Sequence, residues 1–174
     1  MMSIEDFNHA SASECEKCLD GVFESSPWIM KQAIILRPYP SLQALFDRMV
    51  TIVRESSIEN QLNLIKAHPK LGTRNRMSNE STEEQKTAGL NQLSDDEYNQ
   101  FLLMNEQYMT TFGFPFILAI KGKSKQEIYE AMETRLQHNQ AEEFECALKE
   151  IFTIAFFRLK DRLTDNLESK LNNI

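Results

Sequence analysis

A chain of 174 residues is long enough to bury a hydrophobic core without disulfide or metal staples, and its length predicts one domain over 1–174. A formal charge of −7 excludes the dense basic stripe that nucleic-acid binding needs, so no nucleic-acid partner is expected. No apolar run approaches the roughly 20 residues that cross a bilayer, and Met1-Met2-Ser3-Ile4-Glu5-Asp6 lacks the basic-then-apolar order of a secretion signal. The expectation is a cytoplasmic protein with no membrane partner.

Five glycines, five prolines and apolar residues at helical spacing predict an all-α fold: a single-domain bundle of eight or nine helices. A serine followed three residues later by glutamate is the signature of a capping box, in which side chain and backbone satisfy each other at a helix start. The pattern occurs at Ser13 with Glu16, Ser81 with Glu84, Ser94 with Glu97 and Ser124 with Glu127.

In chain order, helices are predicted over 3–10, 14–24 and 27–36, the third opened by Pro27 at a permitted first-turn position. Cys15 and Cys18 have the spacing of a redox or metal pair, but no second pair accompanies them, and the three cysteines are read as reduced thiols. Arg37-Pro38-Tyr39-Pro40 breaks the pattern. A helix over 41–55 follows, with Leu42, Leu45, Phe46, Met49 and Val53 on one face, and another over 58–67 delivers His68.

A polar loop from Gly72 to Glu80 precedes helices over 82–92 and 95–112, with Gly113 as C-cap. The run Phe116, Ile117, Leu118, Ala119 and Ile120 is too short for a helix and is expected to be extended. The last helices are predicted over 125–138 and from 141 to about 167. Ser169-Lys170-Leu171 has the letters of a peroxisomal address, but that signal is read at a C-terminus and the chain continues to Ile174.

Of three histidines, His9 lies near a terminus and His138 at a helix end, where its positive charge would be favourable. His68 alone has a shaped setting, between a helix exit and Pro69. Two uses fit it: capping the last carbonyls, or acid-base chemistry near neutral pH. Lys66, Lys70, Arg74 and Arg76 surround it and suit either an anionic ligand or a solvated basic loop. Ser81, Glu84 and Gln85 stand at a helix start whose free amides also bind anions. Arg158 leaves a mostly apolar helix face and needs a partner, either a protein carboxylate or a ligand carboxylate. No phosphate loop, zinc-binding His-Glu-x-x-His pair, serine nucleophile elbow or multi-cysteine metal cluster occurs, so no metal site is expected.

His68-Pro69-x-Leu71-Gly72, Ser81-Thr82-x-Glu84-Gln85 and Phe112-Gly113-Phe114-Pro115-Phe116, in that order, resemble the 2-oxo-4-hydroxy-4-carboxy-5-ureidoimidazoline (OHCU) decarboxylase family of urate breakdown. The likeness runs from Gly21-Val22-Phe23-Glu24-Ser25-Ser26-Pro27-Trp28 to Arg158-Leu159. It implies a helical homodimer that takes OHCU as substrate and releases carbon dioxide and (S)-allantoin without metal or organic cofactor. It also implies His68 and Glu84 as catalytic residues. Pro69, Ser81, Thr82, Glu83, Glu84, Gln85, Phe116, Ile117, Leu118, Ala119, Ile120 and Arg158 would surround the substrate. Lys70 stands where members of that family often carry an acidic residue. The reading from another class is a non-catalytic helical interaction module docking through the Phe-Gly-Phe-Pro-Phe turn; a third is a metal hydrolase using His68 and Glu84.

Overall fold

The computed structural model describes residues 1–72 and 77–165. Among these, nine α-helices account for most of the chain, so the all-α expectation holds. They are α1 (Ile4–His9), α2 (Ala12–Leu19), α3 (Pro27–Ile35), α4 (Leu42–Glu55), α5 (Ile58–Ala67), α6 (Asn79–Thr87), α7 (Asp95–Phe112), α8 (Lys125–Arg135) and α9 (Gln140–Lys160). A short 3-10 turn, Leu90–Gln92, follows α6. The described residues divide into two compact units, 1–61 with 152–165 and 62–72 with 77–151.

In the first unit, β1 (Met2–Ser3) pairs in parallel with β2 (Leu163–Thr164), Met2 opposite Leu163. The amphipathic face of α4 is buried as its spacing predicts, through Leu42, Leu45, Met49, Ile52 and Val53. Phe46 lies at its edge and meets the Phe156 ring at 4.8 Å. The backbone amide of Leu42 donates to the Asp165 carboxylate at 2.7 Å, so an acidic group sits on the free amides of α4.

The second unit is built on α7. Phe101, Met104, Asn105, Tyr108 and Phe112 are buried at helical spacing and form its inward face. Gly113 ends the helix in the left-handed conformation, φ +76°, as the C-cap expectation requires. Residues 116–120 belong to no helix or strand, and all five are buried.

Several boundaries differ from expectation. The caps of α7 and α8 are Ser94 with Glu97 and Ser124 with Glu127, as read. The box assigned to Ser13 and Glu16 is instead Ser11 with Glu14, and a further box pairs Ser3 with Asp6. Ser81 does not cap: Ser78 does, accepting from the Ser81 amide at 3.1 Å, which starts α6 three residues early. At α2 the serine-glutamate spacing fits two registers, Ser11 with Glu14 and Ser13 with Glu16, and the first forms; at α6 the cap is a serine without the box spacing.

Helix α2 stops at Leu19, where Val22 N–H turns back to Leu19 C=O and Gly21 takes φ +74°, so it does not reach residue 24. Helix α6 ends at Thr87, and Gly89 at φ +77° separates it from the 3-10 turn. Helix α8 stops at Arg135. Helix α9 ends at Lys160 because Leu163 and Thr164 pair with β1; position 167 and the Ser169-Lys170-Leu171 run lie outside the described residues.

Ser78→Ala should lower stability by about 1 kcal/mol, the usual worth of a serine N-cap, whereas Ser13→Ala should change it by less than about 0.5 kcal/mol; urea denaturation measures both. The carboxylates of Glu14, Glu97 and Glu127 are held below 4.5, the first and third by their serine caps and Glu97 mainly by Lys125. A depressed folded value stabilises above the unfolded one, so this contribution should be complete above pH 4.5 and vanish as pH falls through the lower folded values. Urea midpoints between pH 3 and 6 read that loss.

Candidate active site

Helix α5 ends one residue before His68, whose backbone amide turns back to Ile65 C=O at 3.2 Å. His68 is 8 % exposed, and its Nδ1 lies 3.0 Å from Leu64 C=O. That contact satisfies the capping reading and also orients the imidazole, by placing one ring nitrogen on a carbonyl of the last helical turn.

The loop after His68 is held from two sides. From α6, Gln85 Oε1 accepts the Gly72 amide at 3.0 Å while its Nε2 donates to Lys70 C=O at 3.3 Å and touches Met77 Sδ at 3.1 Å. From α7, Asn105 Nδ2 donates to Leu71 C=O and to Phe101 C=O, both at 2.8 Å. Gly72 is the position that permits this approach. It sits at φ +67°, and a Cβ there would lie 2.9 Å from Phe101 Cγ.

The site residues expected on α6 separate by face. Ser81 and Gln85 are buried, Glu84 is half-buried, and Thr82 and Glu83 are exposed. Thr82 Oγ1 donates to Ser78 C=O at 2.8 Å, and Glu83 faces Lys86 at 3.6 Å. Pro69 and Lys70 are half-buried and Lys66 is exposed; Arg74 and Arg76 of the expected basic cluster lie outside the described residues.

Residues 116–120 pack against the other end of α7. Phe116 meets Tyr108 edge-on with ring centroids 5.3 Å apart, and Phe114 packs against Tyr108, Phe112 and Phe144. Helix α7 therefore carries both the His68 loop, on Phe101 and Asn105, and the aromatic turn, on Tyr108 and Phe112. The structure commits the Ala119 amide, one of the groups expected to face a ligand, to the Glu150 carboxylate at 2.7 Å.

A buried charge network supports the same segment, and the sequence reading missed it. Glu143, fully buried, binds Arg135 through Nε at 2.8 Å and through Nη2, and accepts the Tyr108 hydroxyl on the same oxygen. His138 Nδ1 lies 2.8 Å from its other oxygen. Burial and the Glu143 bond push the Tyr108 phenol well up; burial opposes the Arg135 charge, but Glu143 outweighs it and raises the guanidinium further. Glu143 lies in line with Ala147 and Ile151 on the buried side of α9, and an acid in an apolar stripe was the available signal.

His138, Glu143 and Cys146 each bring one possible ligand atom within 4.8 Å of the others. Glu143 already neutralises Arg135, and burial raises the Cys146 thiol away from its thiolate form, so these groups fit a protein ion pair better than a cation.

Arg158 belongs to the first unit. It is 5 % exposed, and its Nη1 donates to the Glu24 carboxylate at 3.0 Å and to Gly21 C=O at 2.9 Å. The protein-carboxylate partner named as one alternative is therefore present.

Residues 8–160 match the family model described as OHCU decarboxylase. A uric acid degradation bifunctional protein of Bacillus sp. (strain TB-90) is 48 % identical over 92 % of this chain and 32 % of its own length. The chain thus spans about a third of that relative and of a similar one from Bacillus subtilis. A 2-oxo-4-hydroxy-4-carboxy-5-ureidoimidazoline decarboxylase of Halalkalicoccus jeotgali is 39 % identical, over 92 % of this chain and 91 % of its own. Among solved structures, an (S)-allantoin synthase superposes with a TM-score of 0.73 at 27 % identity, covering 93 % of this chain and 54 % of that one.

Gly72→Ala should cost about 1–3 kcal/mol, since it adds both left-handed strain and a clash with Phe101. Gly113→Ala has the same strain with nothing within 4 Å and should cost less. Urea denaturation of the two variants separates the clash from the strain.

Proposed function

This chain belongs to the OHCU decarboxylase family, and from that premise we propose that it converts OHCU to (S)-allantoin and carbon dioxide, the last step of urate-to-allantoin breakdown. The observation that carries the reading is the buried His68, held at a helix exit by a loop that Gln85 and Asn105 fix in place. The proposal covers the whole of 1–174 as one family domain acting as a homodimer in the cytoplasm; among the described residues no helix is long and apolar enough to cross a membrane.

The substrate's chemistry sets what the protein must supply. Its carboxylate stands on the hydroxyl-bearing ring carbon, next to a carbon in a C=N bond. When the carbon–carboxylate bond breaks, its electron pair moves into that C=N bond and the ring nitrogen takes a proton. The resulting enol collapses to a carbonyl as the neighbouring ring carbon takes the proton that sets the (S) centre. The ring is its own electron sink, so no organic cofactor is required. The protein has two tasks: to hold the carboxylate out of the ring plane and to control the proton.

In this reading His68 handles the hydroxyl or carboxylate end and assists protonation, and Glu84 orients the ureido and ring groups. Ser81 donates to substrate from within α6. Gln85 contributes by fixing the His68 loop, in addition to any substrate contact. The 116–120 backbone binds ring carbonyls beside Phe114 and Phe116, where exclusion of water strengthens each bond.

The test feeds urate through uricase and hydroxyisourate hydrolase and follows (S)-allantoin by circular dichroism. This protein should accelerate its appearance over the spontaneous reaction. His68→Asn should remain folded and lose about 10²–10⁴-fold in turnover, the span of general acid-base contributions. Glu84→Gln, isosteric but neutral, should lose at least about tenfold, or ~1.4 kcal/mol of barrier. A His68 variant with unchanged turnover removes the imidazole from the mechanism.

A further inference from the structure

Residues 116–120 form no ladder with another strand among the described residues, so two side chains hold their backbone. Arg135 Nη1, from α8, donates to Ile117 C=O. Two residues on, the Ala119 amide donates to Glu150 Oε2, from α9, at 2.7 Å. One side chain is a donor and the other an acceptor, so together they fix the peptide planes on both sides of Leu118.

The donor is itself fixed. Arg135 is 6 % exposed, its guanidinium carbon lies 4.5 Å over the Phe116 ring, and two of its nitrogens bond Glu143. Glu143 is oriented in turn by the Tyr108 hydroxyl and by His138. A buried ion pair is a poor way to gain stability alone, because desolvating both charges offsets most of their attraction and well-packed apolar groups would often serve as well. What this one provides is direction: a rigid planar fork that puts one nitrogen on Ile117 C=O while the others stay on Glu143.

We propose that Glu150 and Arg135 are positioning residues for decarboxylation, holding the 116–120 backbone where it binds the substrate ring. The inference rests on the function proposed above. Glu150 acts as a hydrogen-bond acceptor at Ala119, and its charge takes no part in the chemistry. Half-buried Glu150 can be changed without stranding another buried charge, which makes it the better probe.

The experiment measures steady-state decarboxylation of OHCU and amide hydrogen exchange over 116–120 for wild type, Glu150→Ala and Glu150→Gln. Glu150→Ala should raise KM by about tenfold with kcat within about threefold, as expected when a ground-state binding contact is misplaced. The same variant should exchange its Ala119 amide at least about tenfold faster, because the hydrogen bond that protects it is gone. Glu150→Gln keeps an oxygen acceptor and should restore both values to within about threefold of wild type.

Arg135→Lys, which keeps the charge but loses the fork, should raise KM in the same direction. Wild-type KM and exchange in Glu150→Ala overturn the proposal. So does equal impairment of the Ala and Gln variants, which would place the charge in the chemistry. A wild-type protein inactive on OHCU removes the proposed function instead, and amide exchange still decides whether Glu150 holds the segment.

Discussion

The hydrogen bond from the Gly72 amide to Gln85 is the constraint on which the candidate site depends. It forms because Gly72 takes a left-handed turn against the Phe101 ring, closer than any side chain would allow. With that turn in place, Lys70 and Leu71 present their carbonyls to Gln85 and Asn105, and the chain leaves α5 in one direction only. The imidazole of His68, bonded to Leu64 C=O behind it, inherits this direction. A buried histidine on a free loop would sample many orientations; here polar side chains of α6 and α7 remove that freedom.

Two buried arginines among the described residues solve a similar problem in different units. Arg135 bonds Glu143 and Ile117 C=O; Arg158 bonds Glu24 and Gly21 C=O. In each case a guanidinium joins a buried carboxylate to a backbone carbonyl outside regular helix structure. Such carbonyls lack the partner a helix would give them, and leaving one buried and unpaired costs roughly 1–3 kcal/mol. A planar fork with five donors can satisfy both partners at once, which a lysine ammonium does with less directional control. The apolar residues supply cohesion, and these ion pairs give irregular segments a defined geometry.

Helix α7 shows how much of this was legible in the chain. Its limits, Asp95 and Phe112, its cap at Ser94 and its stop at Gly113 all follow from local pattern, because capping boxes and left-handed glycines act within one turn. The register of α6 was misread because the box spacing belongs to Ser81 with Glu84, whereas the observed cap, Ser78, is a plain serine N-cap with no glutamate three residues on. The extended stretch at 116–120 was legible from its length and apolarity, but not what holds it.

Sequence alone determined the all-α class, the placement of α5 immediately before His68 and the family to which these motifs point. Tertiary structure decided the partners: Gln85 for Gly72, Asn105 for Leu71, Glu150 for Ala119 and Glu24 for Arg158 stand 13, 34, 31 and 134 residues apart. Helix signals are written within a few residues because backbone bonds and caps close over a single turn. A side chain's partner across the fold depends on where whole helices come to rest, and no short stretch of sequence encodes that.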